Sequence, residues 1–445
     1  MKTPIYDFVK AYAEKNPVRL HMPGHKGKGP LGIERYDITE ISGADTLYSA
    51  DGIIAESEDV ASSIFKTVHS FYSTEGSTLV IKAMLALATA GKKAPKILAG
   101  RGAHKSLIYA AALLDVDIVW MYSENSGHLC SASLTKDVVE RALSENRDVS
   151  CVFITSPDYL GNISDVCGIS AACKKYGVPL LVDNAHGAYL NFLSPSRHPI
   201  ALGADMCSDS AHKTLPCLTG GAYLHISKNA PKKYLESARR MLSLFASTSP
   251  SYLILESLDL CNAYLADGYA GKIADAVSEI NRVKSKLSDA GFSILDTEPL
   301  KIVIDANEYG YTGSELAEHL SFSGIEAEFF DVEYLVLMAT PENDVSDYER
   351  LFEALARLPK RKRIPKERVS VKIDAPKRMS IRDAVFSEHE ILPARLAIGR
   401  ICASPTVSCP PAVPIAVSGE EITEEAVLLF EKYQINEIEV VKNDR

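Results

Sequence analysis

The sequence has no Cys-x-x-Cys pair, no long apolar run and no surplus of basic charge. Its nine cysteines are an odd, scattered set running from Cys130 to Cys409. A disulfide framework or a zinc site therefore gives way to reduced, partly buried thiols. Residues 83–90 are apolar, but a membrane helix needs about 20 such residues, so no membrane partner is expected. The opening MKTPIYDFVKAYAEK lacks the apolar centre of a signal peptide, which makes the cytoplasm the expected location. Lys and Arg number 48 against 58 Asp and Glu, a formal net charge of -10. That balance gives no general attraction to nucleic acid and suits a small cationic substrate. No Gly-x-Gly-x-x-Gly follows a strand pattern, and GKGPLG at 27–32 precedes the sheet region, which argues against a dinucleotide-binding enzyme. No tandem repeat is evident. What is present is 445 residues, 46% hydrophobic, too long for one core and sized for two or three domains.

Residues 4–15 read as a short amphipathic helix stopping before Pro17, and HMPGHKGKGPLG at 21–32 as a structured loop. Helical spacing returns over 52–72 and again over 77–89, directly after Gly76. From about residue 97 the pattern alternates. Strand candidates at 96–99, 117–121, 149–155 and 179–182 are separated by helical stretches at 104–114, 134–145 and 165–176. Short segments at 206–208 and 221–226 extend the sheet. This order predicts an α/β fold with a large, mostly parallel sheet covered by helices on both faces. Long helices over 251–287 lead into a smaller α+β region. The expected division is an arm and loop over 1–50, a large domain over 51–287 and a small α+β domain over 288–358. A basic, exposed linker then spans 359–376, and 377–445 packs on the small domain.

The central chemical signal is SDSAHKT at 208–214, followed by a turn containing Gly220 and Gly221. Lys213 is either a surface charge or an amine able to condense with an aldehyde cofactor, chemistry that needs it uncharged in a sheltered site. Ser210 and His212 stand ready to meet a phosphate. The second signal is VDNAHGAY at 182–189, where Asp183 ends an apolar strand. Open α/β sheets bind ligands at that edge. Asp183 either caps the next helix or faces a pyridine nitrogen, keeping it protonated so that the ring accepts electrons. His186 packs near such a ring; a metal site from Asp183 and His186 lacks further ligands nearby, so no metal is expected. STEGST at 73–78 offers Gly76, Ser77 and Thr78 at a helix start, a setting that suits phosphate. RGAHKS at 101–106 offers His104 as a cover for a ring face or as an ordinary helix-start residue.

These stretches resemble the bacterial ornithine/lysine/arginine decarboxylase family of fold-type-I pyridoxal-phosphate enzymes, whose fold is like that of aspartate aminotransferase. HMPGHKGKG at 21–29 resembles the family's PGHK segment, and DITEISGADTLYSADGII at 37–54 the block after it. SDSAHKTLPCLTGGAYLH at 208–225, STSPSYLILESLD at 247–259 and CPPAVPIAVSGEEI at 409–422 match later blocks in order. The resemblance implies pyridoxal 5'-phosphate as cofactor and a basic amino acid as substrate. It implies that Lys213 carries the cofactor, Asp183 pairs with the ring nitrogen and His104 stacks on the ring. Gly76, Ser77, Thr78, Ser210 and His212 then surround the phosphate. It also implies a homodimer or larger assembly with shared active sites, in which Thr248 and Ser249 reach a neighbouring chain's phosphate. Capping a helix in their own chain is the other role open to these two. The length, without a receiver-like domain, resembles the compact biosynthetic type.

The chain departs from the family pattern at Asn184, Glu75 and Ala412. An acidic Glu75 near a phosphate requires that its side chain point away. Asp45, Asp51, Glu328 and Asp331 are possible carboxylates for a basic side chain. The same cofactor also serves aminotransferases and other lyases. An aminotransferase needs an arginine clamp, for which Arg382, Arg395 and Arg400 are candidates. A silent cofactor-binding regulator is the remaining alternative.

Overall fold

The computed structural model describes residues 1–124, 127–366, 372–408 and 413–443. The chain forms two compact units, residues 1–91 with 173–271 and residues 92–172 with 272–445. In chain order the first seven strands are β1 (His69–Ser73), β2 (Lys96–Gly100), β3 (Asp117–Met121), β4 (Val152–Thr155), β5 (Leu180–Asp183), β6 (Met206–Asp209) and β7 (Ala222–Ile226). The first nine α-helices are α1 (Pro4–Glu14), α2 (Ile53–Phe65), α3 (Gly76–Thr89), α4 (Lys105–Leu114), α5 (Lys136–Glu145), α6 (Val166–Tyr176), α7 (Ala211–Thr214), α8 (Lys232–Phe245) and α9 (Tyr252–Ala266).

The first unit holds β1, β7, β6 and β5 in that spatial order. β5 and β6 run parallel, with Asp183 opposite Ser208. β7 is antiparallel to both of its neighbours. Two antiparallel steps return β1 to the direction of β6, so the C-terminal ends of β1, β5 and β6 share one sheet edge. β5 is buried along its length, which its Leu-Leu-Val run permits. β6 is equally buried but reads Met-Cys-Ser-Asp, so its polar groups need partners inside the protein. α3 is apolar on nearly every side and is correspondingly buried from Leu79 onward, apart from Lys82. Asp259 on α9 accepts the backbone N–H groups of Ile5 and Tyr6, both at 3.0 Å, and a carboxylate there also complements the dipole of α1.

The helix expected over 52–72 stops at Phe65. Lys66 turns left-handed at φ 58°, and β1 begins three residues later. The apolar spacing of Phe65, Val68 and Phe71 looks helical, yet the β-branched Thr67 and Val68 between them favour extended backbone.

The second unit holds β4, β2 and β3 side by side, all parallel. It also contains an antiparallel sheet in the order Phe329–Phe330, Tyr334–Met338, Lys301–Asp305 and Ser293–Ile294, the smaller α+β region. The tail adds paired strands His389–Pro393 and Glu437–Val441, which the sequence pattern did not reveal. His389–Pro393 is half exposed, and its short HEILP run gives little periodicity to read. Within the basic run, Arg361 pairs with Glu315 at 3.1 Å and Arg363 with Glu308 at 2.8 Å; residues 367–371 of the same run lie outside the described residues. Among the described residues, no helix is long and apolar enough to cross a membrane.

Candidate functional site

The shared edge of the first unit gathers most of the residues singled out from sequence. Asp183 ends β5 and is 2% exposed. Its Oδ1 accepts the N–H of Ala185 at 3.2 Å. Burial pushes its carboxyl up to about 6, opposed by the charge of Lys213 and reinforced by that of Asp209. Lys213 lies in α7, directly after β6, and its Nζ is 3.0 Å from Nε2 of the buried His186.

Ser210 is fully buried, and its Oγ has no hydrogen-bond partner among the described residues. A buried hydroxyl left this way is costly unless a ligand completes it. The turn before α3 is built for close approach. Gly76 has φ +68°, and its N–H donates to the Gly220 carbonyl at 2.8 Å. Gly220 has φ +100°, and a Cβ there would meet the Thr74 carbonyl at 2.8 Å. Only glycine lets the two turns lie flush. Ser77 and Thr78 follow in the first turn of α3, where unsatisfied N–H groups favour an anion. His212 is fixed by Nδ1, 3.0 Å from the Gly221 carbonyl. An orphaned hydroxyl, a glycine cradle, a helix start, a lysine and a buried acid fit a phosphorylated pyridine aldehyde.

Two departures from the family pattern have structural reasons. Glu75 turns its carboxylate to the backbone N–H of Ser247 at 2.7 Å, and so caps the 247–249 segment. Ser249 in turn donates its N–H to Ser247 Oγ at 3.1 Å, while Thr248 and Ser249 are themselves exposed. The cap of α9 is Ser251, so helix capping by Thr248 or Ser249 is not observed. Glu75→Ala is expected to release Ser247 and to lower stability by roughly 0.5–1 kcal/mol, measured as a fall in urea midpoint. Glu75→Gln keeps the acceptor and most of the stability. Asn184 donates from Nδ2 to Asp209 Oδ1 at 2.7 Å, in a buried network that sequence reasoning missed. The only signal for it was an acid inside SDSAHKT. Ala412 lies outside the described residues.

His104 belongs to the second unit. It is the N-cap of α4, with Nδ1 2.7 Å from Ser106 Oγ. Two candidate carboxylates for a basic side chain have structural tasks. Asp45 accepts N–H groups from Thr46, Gly52 and Ile54 at 2.8, 2.9 and 3.0 Å. Asp331 pairs with His128 at 2.7 Å. Glu328 accepts from the Tyr159 hydroxyl at 3.4 Å, and Asp51 is exposed. The candidate clamp arginines are also engaged. Arg382 donates to the carbonyls of Ala112 and Leu113, Arg395 binds Glu431, and Arg400 binds Glu390.

The family model for the Orn/Lys/Arg decarboxylase major domain matches residues 3–332. The arginine decarboxylase of Halalkalibacterium halodurans is 31% identical, over 95% of this chain and 91% of that protein. The arginine decarboxylase of Bacillus subtilis is 29% identical, over 96% of this chain and 92% of its own length. Among solved structures, the lysine decarboxylase of Francisella novicida superposes with a TM-score of 0.81 at 17% identity, covering 99% of this chain and 81% of that one. A serine palmitoyltransferase from Sphingomonas wittichii gives 0.56 at 15% identity, covering 78% of this chain and 82% of that one. At these identities the solved structures share the fold.

Proposed function

The chain belongs to the Orn/Lys/Arg decarboxylase family of pyridoxal-phosphate enzymes, and from that premise we propose that it decarboxylates L-arginine to the corresponding amine. Its reaction class is amino-acid decarboxylation with a basic substrate. Arginine is favoured because four relatives at 29–31% identity over nearly the whole chain are named arginine decarboxylases. The observation that carries the reading is Asp183 and Lys213 at adjacent parallel strand ends, with the orphaned Ser210 hydroxyl between them in sequence.

When bound, pyridoxal phosphate supplies an aldehyde for the substrate amine and a cationic ring that accepts the electron pair of the Cα–CO2 bond. In the proposed assignment, Lys213 would hold the cofactor through that aldehyde, and His186 would keep the Lys213 amine in place. Asp183 keeps a proton at the ring nitrogen, since an ionised carboxylate stabilises a cation there. Ser210, Ser77 and Thr78 would donate to the phosphate, Gly76 would give it room, and His212 would flank it. His104, the proposed ring cover, enters this reading on the family resemblance alone. Thr248 and Ser249 are assigned to the phosphate of a second copy in a homodimer; their exposure agrees with that role. The occupied clamps at Arg382, Arg395 and Arg400 weigh against an aminotransferase.

Product analysis over a panel of L-amino acids with added pyridoxal phosphate tests the proposal. Arginine should release carbon dioxide and a primary amine, with kcat/KM at least about tenfold above lysine and ornithine, a difference of ~1.4 kcal/mol in transition-state binding. Keto-acid formation without carbon dioxide would exclude decarboxylation. A preference for lysine would exclude arginine alone.

A further inference from the structure

We infer that Asp209 is a positioning residue for the ring-nitrogen end of the cofactor site, a second buried anion that braces Asp183 through Asn184. The inference rests on the reading that Asp183 faces the ring nitrogen. Asp209 is the last residue of β6 and is 0% exposed. Four side chains donate to it. Asn184 Nδ2 and Cys207 Sγ reach Oδ1 at 2.7 and 3.3 Å. His198 and His225 reach Oδ2 with their Nε2 atoms at 2.9 and 3.2 Å. Every one of these donors is fully buried.

The tautomer of His198 is set from outside. His198 Nδ1 accepts the N–H of Ile200 at 3.4 Å, which leaves the proton on Nε2, facing Asp209. His225 Nδ1 meets the Ser70 hydroxyl at 2.8 Å, and Ser70 in turn meets Thr67. Burial lowers the pKa of His225 against the pull of Asp209; burial also disfavours the Asp209 carboxylate, but the charge and hydrogen bonds of the two imidazoles outweigh it and hold its carboxyl well below the usual carboxylate range. His198, Cys207 and Asp209 stand within 4.8 Å of one another, as metal ligands do. However, the imidazoles face the carboxylate with N–H groups instead of lone pairs, so the cluster is complete as a hydrogen-bond network.

An ionised carboxylate in a core is expensive, and an apolar replacement is often as stable. This one lies beside the functional edge. Asn184 follows Asp183 directly, and it is tied to β6 twice, by its N–H to the Ser208 carbonyl at 2.9 Å and by its side chain to Asp209. Those two bonds fix the strand end from which the Asp183 carboxylate projects. The charge of Asp209 also falls on that carboxylate. Negative potential at that point favours a protonated, cationic ring nitrogen. The titratable and charged groups facing Asp209 are His198, His225, Cys207, Asp183 and, across the strand pair, Tyr223.

The test compares Asp209→Asn with Asn184→Ala in the full-length protein. It reads cofactor affinity, the pH midpoint of the visible absorbance of lysine-bound pyridoxal phosphate, and thermal stability. Asp209→Asn removes the charge. It should weaken cofactor binding about tenfold and move the midpoint down by about half a pH unit or more, because cations near the site lose a favourable neighbour. Asn184→Ala leaves the charge and cuts the brace. It should weaken binding about threefold with the midpoint unmoved. A folded Asp209→Asn that loses only thermal stability, with affinity and midpoint unchanged, overturns the inference. If Asp209→Asn does not fold, unchanged affinity in Asn184→Ala overturns it, and weakened affinity supports it. Asp183→Asn separates the two levels. If it alters neither affinity nor midpoint, the reading of Asp183 fails; if it alters both while Asp209→Asn alters neither, only the role of Asp209 fails.

Discussion

Replacing Lys213 by alanine should lower decarboxylation by on the order of 10^4-fold or more, the scale seen when a covalent catalytic group is removed. Three features of the site point to this size of loss. Lys213 stands on a four-residue helix directly after a fully buried strand, so its backbone position is fixed. Its Nζ is already held 3.0 Å from the His186 imidazole, which fixes where the amine would meet an aldehyde. The remaining cradle of Gly76, Ser77 and Ser210 does not involve that nitrogen, so the variant should still bind pyridoxal phosphate. Single-turnover kinetics and the absorbance spectrum together check the prediction. The expected result is bound cofactor with the spectrum of a free aldehyde and almost no carbon dioxide. Retained turnover would dismiss Lys213 as the carrier.

Asp183→Asn should have opposite effects on stability with and without cofactor. Asp183 is buried and its carboxyl is raised from an ordinary 3.8 to about 6. The folded protein without cofactor thus binds this proton more tightly than the unfolded chain. Stability from this group is complete below about pH 4 and is lost as pH rises through about 6. At pH 8 the ionised carboxylate costs the cofactor-free protein on the order of 1–3 kcal/mol, and the neutral amide should recover part of it. With cofactor bound, the same substitution removes the partner of the ring cation. It should lower both cofactor affinity and turnover, the latter by on the order of 10^2-fold or more. Melting curves at pH 5 and pH 8, with and without pyridoxal phosphate, decide the matter. A variant less stable than the parent at pH 8 in both states would contradict it.

Much of this was legible in the sequence, for identifiable reasons. Asp183 stands out because Leu180, Leu181 and Val182 form an apolar run that must end at a sheet edge. Lys213 stands out because Gly220 and Gly221 announce a tight turn beside a lysine flanked by small polar residues. His198 and His225 gave no such warning. His225 meets Asp209 only because β6 and β7 lie side by side, and His198 reaches the same carboxylate from the irregular segment before β6. The same holds for Glu75. Its charge looked misplaced because the Ser247 amide that receives it is 172 residues away in sequence. The strand β1 was hidden because three aromatic and aliphatic residues at helical spacing overlapped two β-branched ones.

The chain builds its first unit from two separated stretches, 1–91 and 173–271. A ribosome therefore exports Gly76 long before Gly220, the residue it must dock against. At typical synthesis rates the interval is on the order of 10 s, far longer than a helix takes to form. During that time α2 and α3 lack the completed sheet of their unit, because β7, which joins β1 to β6, has not been made. A nascent chain halted before residue 220 should be prone to aggregation and to capture by holding chaperones.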